Sequence, residues 1–186
     1  MSTMLSQAGW VVHEVGLATS IGGTLFGRAA LEPSLEAVAS ASERDRVSAE
    51  AWKRFSWLNL AGHVAFAVPW FVGRSMLSGR EVTRTARKLT RVKDVLIGAS
   101  LITGVSSVLL GRRLGSRAEM GMGPEEMRDR PSTTPEGKKS LALEKTVGAL
   151  GNMNLLINIG ILGVTTILAM QAGKSARFAP LTRWLP

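Results

Sequence analysis

The sequence predicts an all-α fold: an integral membrane bundle of four transmembrane helices with short interfacial helices between them. Three observations carry this. Four apolar blocks, at about 8–27, 55–73, 95–111 and 146–171, alternate with charged connections, and each reaches roughly the 17 to 25 residues that a helix needs to cross a ~30 Å hydrocarbon layer. None of the blocks carries the polar face that a helix on the surface of a soluble bundle needs. Trp10, Trp52, Trp57 and Trp70 fall at or just beyond the block ends, with Trp184 in the tail, and indoles favour the membrane interface. The mean hydropathy of the 186-residue chain is only +0.14, because the connections average the blocks away.

The first block organises the rest. It holds His13 and Glu14 inside an apolar span, and one helical face presents His13, Gly16, Ser20, Gly23 and Gly27 at spacings of 3, 4, 3 and 4. That spacing puts these five small or polar residues on one stripe, so the stripe is expected to face protein rather than lipid. A carboxylate in lipid is costly. Glu14 is therefore expected to point inward, protonated or hydrogen-bonded to Asn158 or a serine. Met1 to Gly9 contains no Lys or Arg, unlike the basic leader of a cleaved signal peptide, so the first span is expected to be retained.

After the first span, Pro33 fits a first helical turn, and Leu35, Val38, Val47 and Ala51 recur at roughly helical spacing, which reads as an interfacial helix. Ser48 is placed to cap a helix running on into the second span, where Pro69 near the far end is expected to kink it. Asp94 is placed to cap or flank the third span. That span offers Ser100-x-x-x-Gly104 and Ser107-x-x-x-Gly111, small residues at the spacing that lets helices approach closely. From Gly115 to Lys139 the chain is rich in Gly, Pro and charge, and it reads as a mobile connection. Within it, Met120, Met122 and Met127 are weak candidates for a copper(I) site, since closely spaced thioethers are soft ligands. Asn154 and Asn158 give the fourth span a second buried polar stripe. The tail from Lys174 has the composition of a segment lying at the interface.

A rise of 1.5 Å per helical residue gives rough depths when each span starts at its membrane boundary. Ser20, His63, Ser107 and Asn154 then fall about 12 Å below one surface, called side B, and Glu14 falls about 9 Å below the other, side A, near the levels of Ser100 and Asn158. Two polar layers are expected. His13, Glu14, His63, Asn154 and Asn158 are the candidate cofactor-binding residues. His13 and His63 are the only histidines, but their depths differ by roughly 10 Å, which disfavours one haem held by both. No Ser-His-acid set or Gly-x-Ser-x-Gly motif occurs. The chain has no cysteine, which excludes disulfides, thiolate catalysis and cysteine-ligated metal.

The net charge of +9 points to lipid headgroups rather than nucleic acid because of where it lies. Side A, with the N-terminus, the 74–94 loop and the tail, carries 10 Lys and Arg against 2 acids, a net of +8. Side B carries 13 against 11, a net of +2. Basic residues alone favour B as cytoplasmic; density and net charge favour A. Seven of the basic residues crowd the 74–94 loop, an arrangement suited to an anionic inner leaflet. The expected location is thus the cell inner membrane, with both termini cytoplasmic.

The block from His13-Glu14 through Ser20-Ile21-Gly22-Gly23-Thr24-Leu25-Phe26-Gly27 to Glu32-Pro33 resembles small four-helix bacterial membrane proteins, the broad group that includes copper-resistance and anthrone-oxygenase-like proteins. The resemblance covers the first span and the layout, and it implies a four-helix bundle. The function expected from all of this is that of a non-enzymatic accessory or structural subunit, meeting other membrane subunits or further copies of itself through its small-residue stripes. The alternative is a redox or transport protein holding haem, quinone or metal around His13 and Glu14 or His63.

Overall fold

The computed structural model describes residues 2–77, 84–120, 122–129 and 135–174. Helix α1 (Ser2–Phe26) passes into one π-helical turn (Gly27–Leu31), a short α2 (Glu32–Ser34) and a 3₁₀ turn (Leu35–Ala37). Then come α3 (Ala41–Leu77), α4 (Arg84–Glu119), the short α5 (Pro124–Asp129) and α6 (Pro135–Lys174), with no strand among the described residues. Four of these helices are long. Three of them, α3, α4 and α6, are long and apolar enough to cross a membrane; in α1, His13, Glu14 and the Gly, Ser and Thr residues dilute the apolar character.

Each long helix packs against the next, and α1 closes the ring against α6. Neighbours are antiparallel, as Gly9 against Pro69, Gly16 against Gly62, Gly23 against Phe55 and Gly27 against Trp52 demonstrate for α1 and α3. The closest approach is at Gly16, where an added Cβ would lie 2.6 Å from the Gly62 carbonyl oxygen and 2.7 Å from the Phe66 nitrogen. Backbone here meets backbone, the contact that small residues permit.

At the centre Leu17, Phe66, Ala67, Ile97 and Ile161 form one apolar layer to which every long helix contributes. Three or four residues to either side on each helix lies an inward-facing polar or aromatic residue. His13 and Ser20 flank Leu17, His63 and Trp70 flank Phe66, Lys93 and Ser100 flank Ile97, and Asn158 and Thr165 flank Ile161. A 3.6-residue repeat turns all three positions to the same side. Because neighbours are antiparallel, the flanking residues sort into two layers, one with His13, Trp70, Lys93 and Thr165, the other with Ser20, His63, Ser100 and Asn158.

The helices outrun the apolar blocks. Ser48 lies inside α3 rather than at its cap, and the expected interfacial helix is replaced by short turns and the first turns of α3, since no Gly or Pro interrupts residues 41–61. Asp94 likewise lies inside α4, where it accepts the Trp70 indole N–H at 2.9 Å. Of the 74–94 basic stretch, 84–94 is helical and 78–83 lies outside the described residues, as does the tail after Lys174 with Trp184. The 115–139 stretch is not one irregular connection: α4 continues to Glu119, and α5 docks on α3, with Met127 buried. Asp45, itself buried, accepts the Glu125 backbone N–H at 3.2 Å, and Arg44 pairs with Glu125 at 3.2 Å. Ser140 donates to the Met122 carbonyl at 2.9 Å and accepts from Arg117 at 3.1 Å.

Candidate functional site

The two flanking layers are the candidate sites, and they differ in kind. In the first, His63 Nδ1 faces the carbonyl of Asn59 one turn back at 2.8 Å, so Nδ1 carries the proton and Nε2 is left as an acceptor. Nε2 meets Ser100 Oγ at 3.2 Å and Asn154 Nδ2 at 3.3 Å. Asn154 also donates to the Ser100 carbonyl at 2.8 Å and to Thr103 Oγ1 at 2.9 Å. Asn158 donates to Ser20 at 2.9 Å and to Asn154 Oδ1 at 3.1 Å, and accepts from Ser100. Ser20 in turn donates to Asn59 Oδ1 at 2.7 Å. The result is a network joining all four long helices in which the amide and hydroxyl groups satisfy one another, while His63 Nε2 shares the hydrogens that Asn154 and Ser100 direct at other acceptors. Gly104 makes room for it, since an added Cβ would lie 2.6 Å from His63 Nε2.

The second layer is built around a charge. His13 Nδ1 donates to the Phe66 carbonyl, which leaves Nε2 to accept from Lys93 Nζ at 2.9 Å. Pro69 lacks the N–H that would bond the carbonyl of Ala65, and such a break loosens the adjacent helical ladder; one residue further on, the Phe66 carbonyl accepts from a side chain of another helix. Lys93 is 0% exposed. Its ammonium lies 4.0 Å from the Trp70 ring centroid and 5.3 Å from that of Trp10, with cation–π attraction from both faces. Asp94 holds the Trp70 indole by its N–H.

The expected residues thus regroup. Ser20, His63 and Asn154 come together as the depths imply, but Ser100 and Asn158 join them rather than Glu14. Glu14 is half-buried and, among the described residues, makes no hydrogen bond to Asn158 or a serine. Ser107 Oγ is buried without a partner and stays outside the network. His13, Gly16, Ser20 and Gly27 are buried, while the Phe55 ring occupies the space beside Gly23 and Gly111 has open space beside it. The Phe66 ring lies between the two histidines, with centroids 6.2 Å from His13 and 5.1 Å from His63. Met120 is exposed and Met127 buried, and no set of three His, Cys, Asp or Glu side chains fit for a metal forms among the described residues.

Comparison adds nothing to this geometry. No family model, characterised protein or solved structure matches the chain. The residue that sequence reasoning missed is Lys93, which it places with the basic residues of the 74–94 loop at the anionic leaflet. Its phase was available: Lys93, Ile97, Ser100 and Gly104 follow one another at 4, 3 and 4, the same inward face of α4.

The network makes a testable claim on stability. Asn158→Ala removes one donor to Ser20, one to Asn154 and the acceptor for Ser100. Bonds between membrane helices average about 0.6 kcal/mol and reach ~1.7, so the loss of three from a closed network is expected to cost about 2 kcal/mol. Reversible unfolding in mixed micelles measures it, and Asn152→Ala, at an exposed position on the same helix, is the expected neutral control.

Proposed function

We propose that the chain is a non-enzymatic integral membrane protein of the cell inner membrane, crossing it four times with α1 as the fourth span, and acting as an accessory or structural subunit. The observation that carries the reading is the engagement of both imidazoles. Each has Nδ1 committed to a backbone carbonyl and Nε2 packed within hydrogen-bond distance of side chains of other helices, Lys93 for His13 and Ser100 and Asn154 for His63. Haem or metal ligation would first have to break these bonds, and the Phe66 ring separates the two histidines. A groove of about 690 Å³ opens outward between α1 and α3 beside Gly22, Phe26 and Leu58, away from the polar layers.

The test is the purified protein itself. The subunit reading expects no Soret band and no quinone in its extract, and a native mass in mild detergent above that of one chain. A Soret band lost in His63→Ala would replace it. A second reading, proton transfer through the bundle, draws on the buried Lys93 with His13 and Glu14, since an ionisable group kept inside a membrane is by default a functional candidate. Proteoliposomes with an enclosed pH dye separate the two: the subunit reading expects no flux above empty vesicles, and flux abolished by Lys93→Met would favour the second.

The termini and the first turns of α4 are proposed to be cytoplasmic, on the net charge of +8 that side A carries against +2 on side B. The absence of native cysteine makes labelling direct. In intact cells an impermeant maleimide is expected to modify Ser42→Cys and to spare Lys88→Cys, both at exposed positions. The opposite pattern reverses the orientation.

A further inference from the structure

The first turns of α4 carry Arg84, Arg87, Lys88 and Arg91, all exposed. Their spacing of 3, 1 and 3 places them on one face of the helix, as neighbours at i+3 and i+4 lie together. Followed along the helix, that face continues as Val95, Gly98, Ile102, Val105 and Leu109, with Val95 and Ile102 each 70% exposed. From Arg84 through Lys88 and Arg91 to Leu109 the steps are 4, 3, 4, 3, 4, 3 and 4, one unbroken stripe. Its opposite face is the buried one, Lys93, Ile97, Ser100 and Gly104. Lys93 is thus separated from the other cations by the helix itself, and the five basic residues at the start of α4 divide into one inside the bundle and four outside.

Among the described residues no ion pair neutralises the exposed cations, and the pairs that do form lie at the other end of the molecule, on α3 and α5. Arg84 to Arg91 spans about 10 Å along the helix axis, comparable to the polar layer that flanks the hydrocarbon on one side of a bilayer. The residues directly beneath are the ones with the largest apolar exposure on α4. A cationic segment collinear with a lipid-facing segment is complementary to a molecule that is anionic at one end and apolar along its length.

We propose that Arg84, Arg87, Lys88 and Arg91 form a site for the phosphate headgroups of anionic phospholipids whose acyl chains lie along Val95 and Ile102. The cations hold the headgroup by charge and hydrogen bonds, Arg in two-point contact with phosphate oxygens. The bare backbone at Gly98 leaves space for a chain between Val95 and Ile102. The proposal rests on α4 crossing the membrane, and its test separates the two.

The full chain is reconstituted in phosphatidylcholine bilayers with trace spin-labelled phosphatidylglycerol or spin-labelled phosphatidylcholine, and the motionally restricted fraction of each label is measured by electron paramagnetic resonance. A restricted fraction with either label reports embedding of the helices, whatever the headgroup. The site is expected to favour phosphatidylglycerol by roughly threefold or more at low salt, falling as salt rises. The fourfold variant R84Q/R87Q/K88Q/R91Q is expected to bring the two labels to equality, and the R84K/R87K/R91K variant to keep most of the preference. The fourfold control R113Q/K138Q/K139Q/K145Q, at exposed positions elsewhere, is expected to leave it unchanged. Equal restriction of both labels in the unmodified protein overturns the proposal, as does a preference lost in the control and kept in the α4 variant. If the labels are equal and a fluorescent oligonucleotide binds the unmodified protein but not the α4 variant, the stripe serves a soluble polyanion and the lipid assignment falls.

Discussion

Gly16→Val is expected to leave almost no folded protein, while Gly22→Val on the same helix is expected to fold as well as the parent. At Gly16 a Cβ would meet the Gly62 oxygen at 2.6 Å, the Phe66 nitrogen at 2.7 Å and the Ala65 Cβ at 3.0 Å. The first two are backbone atoms, so the only relief is to push α1 and α3 apart. That displacement would draw Leu17 out of the central layer and take the Phe66 carbonyl away from His13 Nδ1. Overpacking at a site that can relax costs about 1–3 kcal/mol. A site where two helices and an interhelical hydrogen bond must move together is expected to exceed ~3 kcal/mol, a large share of a marginal total. Gly22 has nothing within 4 Å of its would-be Cβ. Gly23 is intermediate, because what occupies its space is the Phe55 ring, a side chain that can rotate. Monodisperse yield in detergent and unfolding in mixed micelles rank the three, and a Gly16→Val protein as stable as the parent would sink the claim that backbone contact sets this interface.

The same comparison explains what the sequence could and could not reveal. The stripe from His13 to Gly27 was legible because it is a property of the 3.6-residue repeat, which one helix fixes by itself. The association of Ser20, His63 and Asn154 followed from counting rise per residue. Ser100 and Asn158 went to the wrong layer because the count started each helix at the edge of its apolar block, and one turn of error is about 5.4 Å. Helix α4 begins at Arg84, well before Val95, and α3 at Ala41. Nothing in a local window stops either helix at the membrane boundary. Lys93 was hidden for a different reason. What makes its burial tolerable comes from other helices, His13 and Trp10 on α1 and Trp70 on α3. The docking of α5 was hidden likewise, since Asp45 meets Glu125 across 80 residues of sequence.

Those non-local partners make the His13–Lys93 pair the place where a single substitution is expected to do more harm than a double one. His13→Leu leaves the Lys93 ammonium buried with two ring faces and no hydrogen-bond acceptor in place of Nε2. Leaving a buried ammonium without its hydrogen-bond acceptor costs about 3 kcal/mol or more, because the desolvated charge loses its polar partner. Lys93→Met leaves a neutral imidazole acceptor without its donor, a smaller loss of about 1–3 kcal/mol. The double variant H13L/K93M removes both groups and puts apolar side chains of similar length between Trp10 and Trp70. It is expected to lie within about 1 kcal/mol of the parent, which makes the coupling in the cycle about 3 kcal/mol or more. Unfolding of all four proteins in the same mixed micelles, at one pH, measures it directly. An additive cycle would mean that the long Lys93 side chain escapes to the headgroups once His13 is gone, and that the aromatic walls of Trp10 and Trp70, rather than the hydrogen bond to His13, are what hold α1 and α4 together at this level.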